Sequence, residues 1–318
     1  MFLEILYSYI CNFADDTSAS VCGTNIDEVL HDLEEDAKAC LIWYENNYMK
    51  SNPGKCHFIT NGSTEHLWIR VGNEKIWESF QEKPLGILVD KNLSFKPHLK
   101  NLCKKVGQKI SALSRLVKIM PFHRRKTLMN SFILSQFNYC PLIWMFWSRS
   151  IDRRINHLHE RALRLVYHDY ASTFENLLEM DGSLRIHHRC IHRVAIEMYK
   201  FRNNLSPTFM SEILQDSEPA LCLKSGDTFL RPRIVSVKYG EYSLRSFGPI
   251  VWNHMLPTHL KESENLEKFK YEIRRWVPRN CPCRLCKTYL PNIGFLWILT
   301  LTQAMSLLIY GNRLYYVT

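Results

Sequence analysis

Asp15 and Asp16, two adjacent carboxylates near the amino terminus, are the first residues whose types and spacing suggest chemistry. They close the tetrapeptide Phe13-Ala14-Asp15-Asp16, which interrupts an apolar, β-prone run from Leu3 to Ser20. A run broken in this way predicts a hairpin over residues 1–24 with both acids at its tip. Neighbouring carboxylates repel, and each favours its neutral form unless a cation lies between them. Such a tip suits Mg2+, which takes oxygen ligands and leaves positions open for water and phosphate. Phosphoryl-transfer enzymes hold two such ions roughly 3.5–4 Å apart, one on the attacking and one on the leaving oxygen. By itself the tetrapeptide reads first as an ordinary polar turn, and only the rest of the chain gives a reason to read it otherwise.

A second array lies far downstream. Cys281, Cys283 and Cys286 form C-x-C-x-x-C behind Pro278. Thiolates at this spacing can share a Zn2+ ion, which needs four ligands in a structural site. Three cysteines are local, and the nearest histidines, His254 and His259, precede them. An incomplete zinc set and a reduced, solvent-facing group of thiols both stay open. His188 and His192 have the i, i+4 spacing of metal ligands, but they read as surface residues.

These candidates sit in a chain of 318 residues, long enough for two or three domains with cores of their own. The first fourteen residues carry Glu4 and no basic segment, so they do not form a secretory signal. The eleven cysteines are therefore read as reduced, in a cytoplasmic or nuclear protein that is not secreted. The run from Ile293 to Tyr310 is apolar, but Gly294, Gln303, Ser306 and its threonines argue against a membrane span.

The net charge of +10 hides an asymmetry. Residues 1–90 hold fifteen acidic and six basic side chains, whereas residues 91–318 hold sixteen acidic and thirty-five basic ones. This predicts an acidic, cation-holding piece followed by a basic piece that binds a polyanion. Between Phe95 and Leu165 there are fifteen Lys or Arg residues against Asp152 and Glu160 alone.

Periodicity then assigns the elements. Asn25 and Glu28 form a capping pair for a helix running to about Tyr48, with Ile26, Val29, Leu30, Leu33, Ala37, Leu41 and Tyr44 on its apolar face. Asn52-Pro53-Gly54 stops it before a strand at Cys56–Thr60. Leu67–Val71 and Ile76–Phe80 form a strand pair around Gly72-Asn73, and Leu85–Val89 is a short apolar run before Asp90. Leu99, Leu102, Val106, Ile110, Leu113 and Val117 mark a helix with lysines on its other side. Phe132–Trp147 reads as a buried helix and a turn, and Ile151–His168 as an amphipathic helix with Arg154, His157, Arg161 and Arg164 in a basic stripe. Ser183–Arg202 turns Leu184, His187, Ile191, Val194, Ala195 and Met198 inward, with Arg185, Arg189 and Arg193 along another side. Phe229–Ser246 reads as β-like and turn-rich, and a last helix uses Leu266, Phe269, Ile273 and Trp276.

The hairpin tetrapeptide, Asn52-Pro53-Gly54-Lys55-Cys56-His57, Leu85–Asp90, Ser135–Trp144 and Cys281–Cys286 occur in an order and spacing that resembles the carboxy-terminal part of non-LTR, LINE-type retrotransposon reverse transcriptases of the jockey-like group. The resemblance covers residues from about 8 to 295. It implies an α+β fold: an incomplete polymerase palm at 1–92, a helical, basic thumb at 93–178 and a helical region with short strands at 179–278. The cysteine cluster (279–294) and the apolar tail (295–318) follow. It further implies that Asp15 and Asp16 hold Mg2+ and that Lys55 attends the departing pyrophosphate. The hairpin around Gly72-Asn73 would steady the primer terminus. Lys100, Lys104, Lys105, Lys109, Arg154, Arg161 and Arg164 would grip the phosphates of an RNA template paired with a DNA primer, a contact that adds affinity without reading sequence. Relatives end in a zinc knuckle of three cysteines and a histidine, from which this cluster departs.

A palm also needs a third aspartate on an earlier strand, a Gln-Gly segment and fingers, yet only twelve residues precede Phe13. The expectation is a polymerase fragment inactive by itself, its hairpin left with an unpaired edge. The alternatives are a non-catalytic nucleic-acid-binding remnant and, more weakly, a purely structural helical protein.

Overall fold

The computed structural model describes residues 8–14, 16–63, 65–207, 210, 214, 228–234, 240–241, 243–279, 281–283 and 285–286, and the strand backbone of 313–317. It is a mixed α+β fold, divided into two compact units: Met1–His98 with Ser306–Thr318, and Leu99–Met305.

The first unit is built on a hairpin of β1 (Tyr9–Phe13) and β2 (Asp16–Gly23). Phe13 pairs with Asp16, which leaves a two-residue turn. Ala14 takes the left-handed φ of 55° that such turns demand. An alanine there stores about 1 kcal/mol that a glycine would not. Helix α1 (Ile26–Asn46) starts where Asn25 accepts a hydrogen bond from the Asp27 amide and donates through its side chain to Glu28. Val29 and Leu33 of α1 pack with Val21 of β2, with Phe58 of β3 (Phe58–Thr60), and with Ile69 and Val71 of β4 (Trp68–Val71). Ile26, Leu30, Ala37 and Leu41 flank this cluster, so the helix covers the back of the sheet along its apolar stripe.

β4 pairs with β5 (Glu74–Trp77) across Gly72, whose φ of 62° makes the turn. A short ladder joins β6 (Gln81–Glu82) to β7 (Val89–Asp90). Among the described residues the hairpin keeps the expected unpaired edge on β1, the outer strand of its sheet, while its β2 side is paired. The last strand, β8 (Arg313–Val317), lies antiparallel to both β2 and β3, giving the sheet order β1-β2-β8-β3. The rest of the apolar run at Ile293–Tyr310 lies outside the described residues, and no described helix is long and apolar enough to cross a membrane.

Among the described residues, three carboxylates are buried in this unit, each held by donors. Asp36 bonds Ser8, Glu78 bonds Thr60 and the Lys91 ammonium at 2.8 Å, and Asp90 accepts from Ser94 Oγ and from the Phe95 amide at 2.7 Å. Asp90 thereby fixes the turn in which Leu93 and Phe95 both have positive φ.

The second unit is helical. Along α2 (Lys96–Leu116) and the turn after it, Leu99, Leu102, Val106, Ile110, Leu113 and Val117 are all buried, as the spacing predicts. After α3 (Phe122–Leu128) the chain tightens and loosens through a π-turn at Met129–Ile133, a 3-10 turn at Leu134–Asn138, and α4 (Pro141–Trp144). Helix α5 (Arg149–Tyr167) buries Ile155, Leu158, Ala162 and Val166, together with Leu163. α6 (Phe174–Asp181) is followed by α7 (Ile186–Arg202), which buries ten of its residues because other helices pack around it. Tyr199 of α7 stacks on Phe269 with ring centres 4.3 Å apart and donates from its hydroxyl to the Ser263 carbonyl at 2.7 Å.

The expectation of β-like structure up to Ser246 fails at its end. Ser243 caps α8 (Leu244–Ile250), and a π-turn at Val251–Met255 follows. Met198 lies so close to Gly248 that a β-carbon there would sit 2.5 Å from its sulfur, so this glycine is set by close packing. Two short helices, α9 (Thr258–Lys261) and α10 (Leu266–Ile273), complete the unit.

Candidate functional site

The acidic hairpin is positioned from behind. Thr17 Oγ1 lies 2.8 Å from the Tyr44 hydroxyl of α1, which tethers the strand one residue past Asp16. Asp16 is exposed at the first position of β2, next to the turn. Asp15 lies outside the described residues. Lys55 is exposed in a 3-10 turn (Pro53–Lys55), with its amide on the Asn52 carbonyl at 2.9 Å. Sheet register relates the two sites: Ala19 and Phe58 both face Val317 across β8, so β2 and β3 run parallel. Asp16 and Lys55 each precede that matched level by three residues, which puts them at the same end of the sheet, Asp16 at the start of β2 and Lys55 in the turn before β3, two strands about 10 Å apart. Among the described residues, no group of three carboxylates gathers around Asp16. The described part of the hairpin therefore presents one exposed carboxylate, Asp16.

The basic residues divide into two kinds. Lys100, Lys104 and Lys105 are exposed on α2, and Lys109 is half-buried beside them, a row about 13 Å long. Arg154 and Arg161 are exposed on α5. Gly107 of α2 faces Leu158 of α5, and Arg154 lies near enough to Cys103 to oppose the rise in thiol pKa that burial causes. Those two helices thus carry the α2 row and Arg154 side by side. Arg164 is different: its guanidinium is occupied by Glu160 at 2.6 Å and by the carbonyls of Asp169 and Ser172. It closes the turn after α5.

The cysteine array is buried, not solvent-facing. Cys281 and Cys286 are 1% and 3% exposed, and Cys283 is half-buried. His187 of α7 lies with its Nε2 3.1 Å from Cys283 Sγ. The ligand atoms of His187, Cys281, Cys283 and Cys286 all fall within 4.8 Å of one another. The amide of Cys286 donates to Cys283 Sγ at 3.4 Å, and the Trp147 ring meets His187 edge-on at 5.7 Å. Hydrogen bonds from Cys281 and Cys286 hold the Cys283 thiol far below its ordinary pKa, while the same contacts push Cys281 up to about 12 and Cys286 upward as well. Two thiols thus converge on a third sulfur, Cys283 Sγ, with the His187 imidazole beside it.

The surface reading of His188 and His192 is overturned. His192 is buried, stacked on Trp276, and bonds the Trp276 carbonyl at 2.8 Å. Burial drives its pKa down to about 4, so the ring is neutral and its Nε2 carries the proton given to that carbonyl. His188 Nε2 lies 3.6 Å from Cys286 Sγ, and burial lowers its pKa to about 4. Both face inward because α7 is enclosed by the chain that returns from α10. His254 and His259, nearest the cysteines in sequence, are exposed and stand apart from the cluster. The one available signal for His187 was its place on the apolar face of α7, where a histidine needs a partner.

An acid-tipped hairpin, a helical unit rich in lysine and arginine, and a buried Cys/His cluster characterise this mixed α+β chain. No family model matches the chain, and no solved structure matches it. It is distantly related to a transposon RNA-directed DNA polymerase: over an alignment of 164 positions that covers 49% of the chain, it is 25% identical to the "Probable RNA-directed DNA polymerase from transposon BS" of Drosophila melanogaster. The matched region spans 18% of that protein's length.

Proposed function

We propose that the chain is the carboxy-terminal part of a non-LTR retrotransposon reverse transcriptase, of which it retains a partial palm and a phosphate-gripping thumb. The observation that carries this reading is the tight β1–β2 hairpin with Asp16 at its exposed tip, in a chain distantly related to a transposon polymerase. In the complete polymerase, Asp15 and Asp16 would hold Mg2+, which supplies charge neutralisation at the attacking and leaving oxygens. Lys55, at the same end of the sheet, would stand on the pyrophosphate side. Lys100, Lys104, Lys105, Lys109, Arg154 and Arg161 would hold the duplex of RNA template and DNA primer by its phosphates, a grip that permits sliding. Arg164 supports this surface by fixing the end of α5.

A second reading, a nucleic-acid-binding remnant without chemistry, is favoured by the lack of a third carboxylate near Asp16 among the described residues. Both readings predict salt-dependent binding of an RNA–DNA hybrid by the purified chain, with log Kd rising steeply with log salt. Incorporation of nucleotides with Mg2+, abolished by Asp16→Asn, would select the polymerase reading; binding without incorporation would select the remnant. Binding that is weak and indifferent to salt would rule out both.

A further inference from the structure

We infer that His187, Cys281, Cys283 and Cys286 form a closed site for Zn2+, with three thiolates and one imidazole, which fastens the returning carboxy-terminal segment onto the first turn of α7. This inference is independent of the polymerase reading. The donor set is three sulfurs and one imidazole nitrogen, gathered within 4.8 Å. A tetrahedral zinc ion with Zn–S of about 2.3 Å and Zn–N of about 2.0 Å separates its ligand atoms by about 3.5–3.8 Å. The separation of His187 Nε2 from Cys283 Sγ, 3.1 Å, is within a few tenths of an ångström of that edge. Soft thiolates with no carboxylate among them disfavour magnesium or calcium, and four protein ligands leave no open position for catalysis.

The protein prepares the site from two sides. Five residues before Cys281, the chain is already pinned to α7 by the Trp276 carbonyl on His192 and by the stacking of their rings. Five residues back along α7, His187 then meets the cysteines, so segment and helix run in opposite directions and close on each other twice. The amide of Cys286 on Cys283 Sγ is the backbone bond expected to neutralise a bound thiolate. Ionising three thiols in this buried space is opposed by their mutual repulsion; a divalent ion removes that opposition and releases their protons to solvent. The ligands join residues 96 apart, so the metal would close a long loop and stabilise the folded unit strongly. His188, 3.6 Å from Cys286, stands beside the site as the competing imidazole.

The test uses the full chain, purified under reducing conditions and titrated with Co2+ and then Zn2+. The expected result is about one ion per chain, the visible bands of tetrahedral cobalt with sulfur-to-cobalt charge transfer, and displacement by Zn2+. Cys283→Ser and His187→Ala should weaken zinc binding by more than the roughly 10–100-fold that loss of an outer partner costs. His188→Gln should change it by less than about 10-fold. Should Cys283→Ser disturb folding, His187→Cys serves as the second variant: it should keep the metal and strengthen the charge-transfer band, as four thiolate ligands require. No tetrahedral cobalt spectrum in the wild-type chain overturns the site. Loss of the metal in His188→Gln with retention in His187→Ala overturns the assignment of His187.

Discussion

The two units bury different mixtures of polar groups. In the first, the buried titratable groups include the acids Asp36, Glu78 and Asp90, kept in place by hydroxyls, amides and the Lys91 ammonium. In the second they include the histidines His159, His187 and His192, placed against carbonyls, sulfur and aromatic rings. The outer surfaces differ in the same sense, acidic over residues 1–90 and basic beyond. Burying an ion requires several donors converging on it, whereas a neutral imidazole needs one partner or a metal. The acidic unit therefore spends its interior hydrogen bonds on carboxylates; the basic unit buries acids as well, among them Asp152 against Trp147 and Asn156, but leaves Lys100, Lys104, Lys105, Arg154 and Arg161 exposed at its surface.

Truncating one core residue in each unit probes that contrast most strongly. Phe269→Ala removes the ring stacked on Tyr199 and should destabilise the second unit by about 3–5 kcal/mol, while Leu33→Ala should cost the first about 2–5 kcal/mol. Amide exchange should show each loss confined to its own unit. Equal deprotection of both units by either variant would mean that they unfold as one.

Outer charge comes next. Replacing Lys100, Lys104, Lys105 and Lys109 together by alanine should flatten the log–log salt slope for hybrid binding by about 0.9 for each phosphate no longer neutralised. The same number of substitutions among the acids Asp27, Glu28, Glu34 and Glu35 of α1 should leave the slope unchanged. If the two sets act alike, the charge division has no bearing on the ligand.

The smallest effect concerns His159, which is fully buried with neither ring nitrogen hydrogen-bonded among the described residues. Burial, reinforced by Arg189, lowers its pKa from 6.5 to about 3, although Asp181 opposes the shift. The unfolded chain binds the extra proton between those values, so this histidine's contribution is intact above about pH 6.5 and is lost as pH falls toward 3. His159→Phe should stabilise the second unit by about 1 kcal/mol at neutral pH and flatten its stability profile over that window. An unchanged acid profile, read by thermal melts from pH 7 to pH 4, would show that other groups set it.

Much of this was legible residue by residue. Every apolar position assigned to α2 is buried, and Asn25 caps α1, because helical spacing and capping depend on neighbours within a turn or two. The hairpin around Gly72 and the Phe13–Asp16 turn are legible for the same reason. Other features were settled by packing between residues far apart in the chain. The strand that pairs with β2 comes from the other end of the chain, while β1 keeps the unpaired edge expected of the hairpin. Arg164, one of a basic stripe in sequence, is drawn into the turn after α5. His187 meets Cys283, 96 residues away, and its two neighbouring cysteines, while His254 and His259, the nearer candidates, do not.

The amino-acid sequence by itself determined the acid-tipped hairpin, the helical stripes and the division of charge, since each follows from short-range periodicity and composition. Only the tertiary structure decided which imidazole completes the cysteine array and which strand pairs with β2. Side-chain clusters and strand partners are chosen by proximity in space, and a distance of a few ångströms between segments so remote carries no mark in either segment alone.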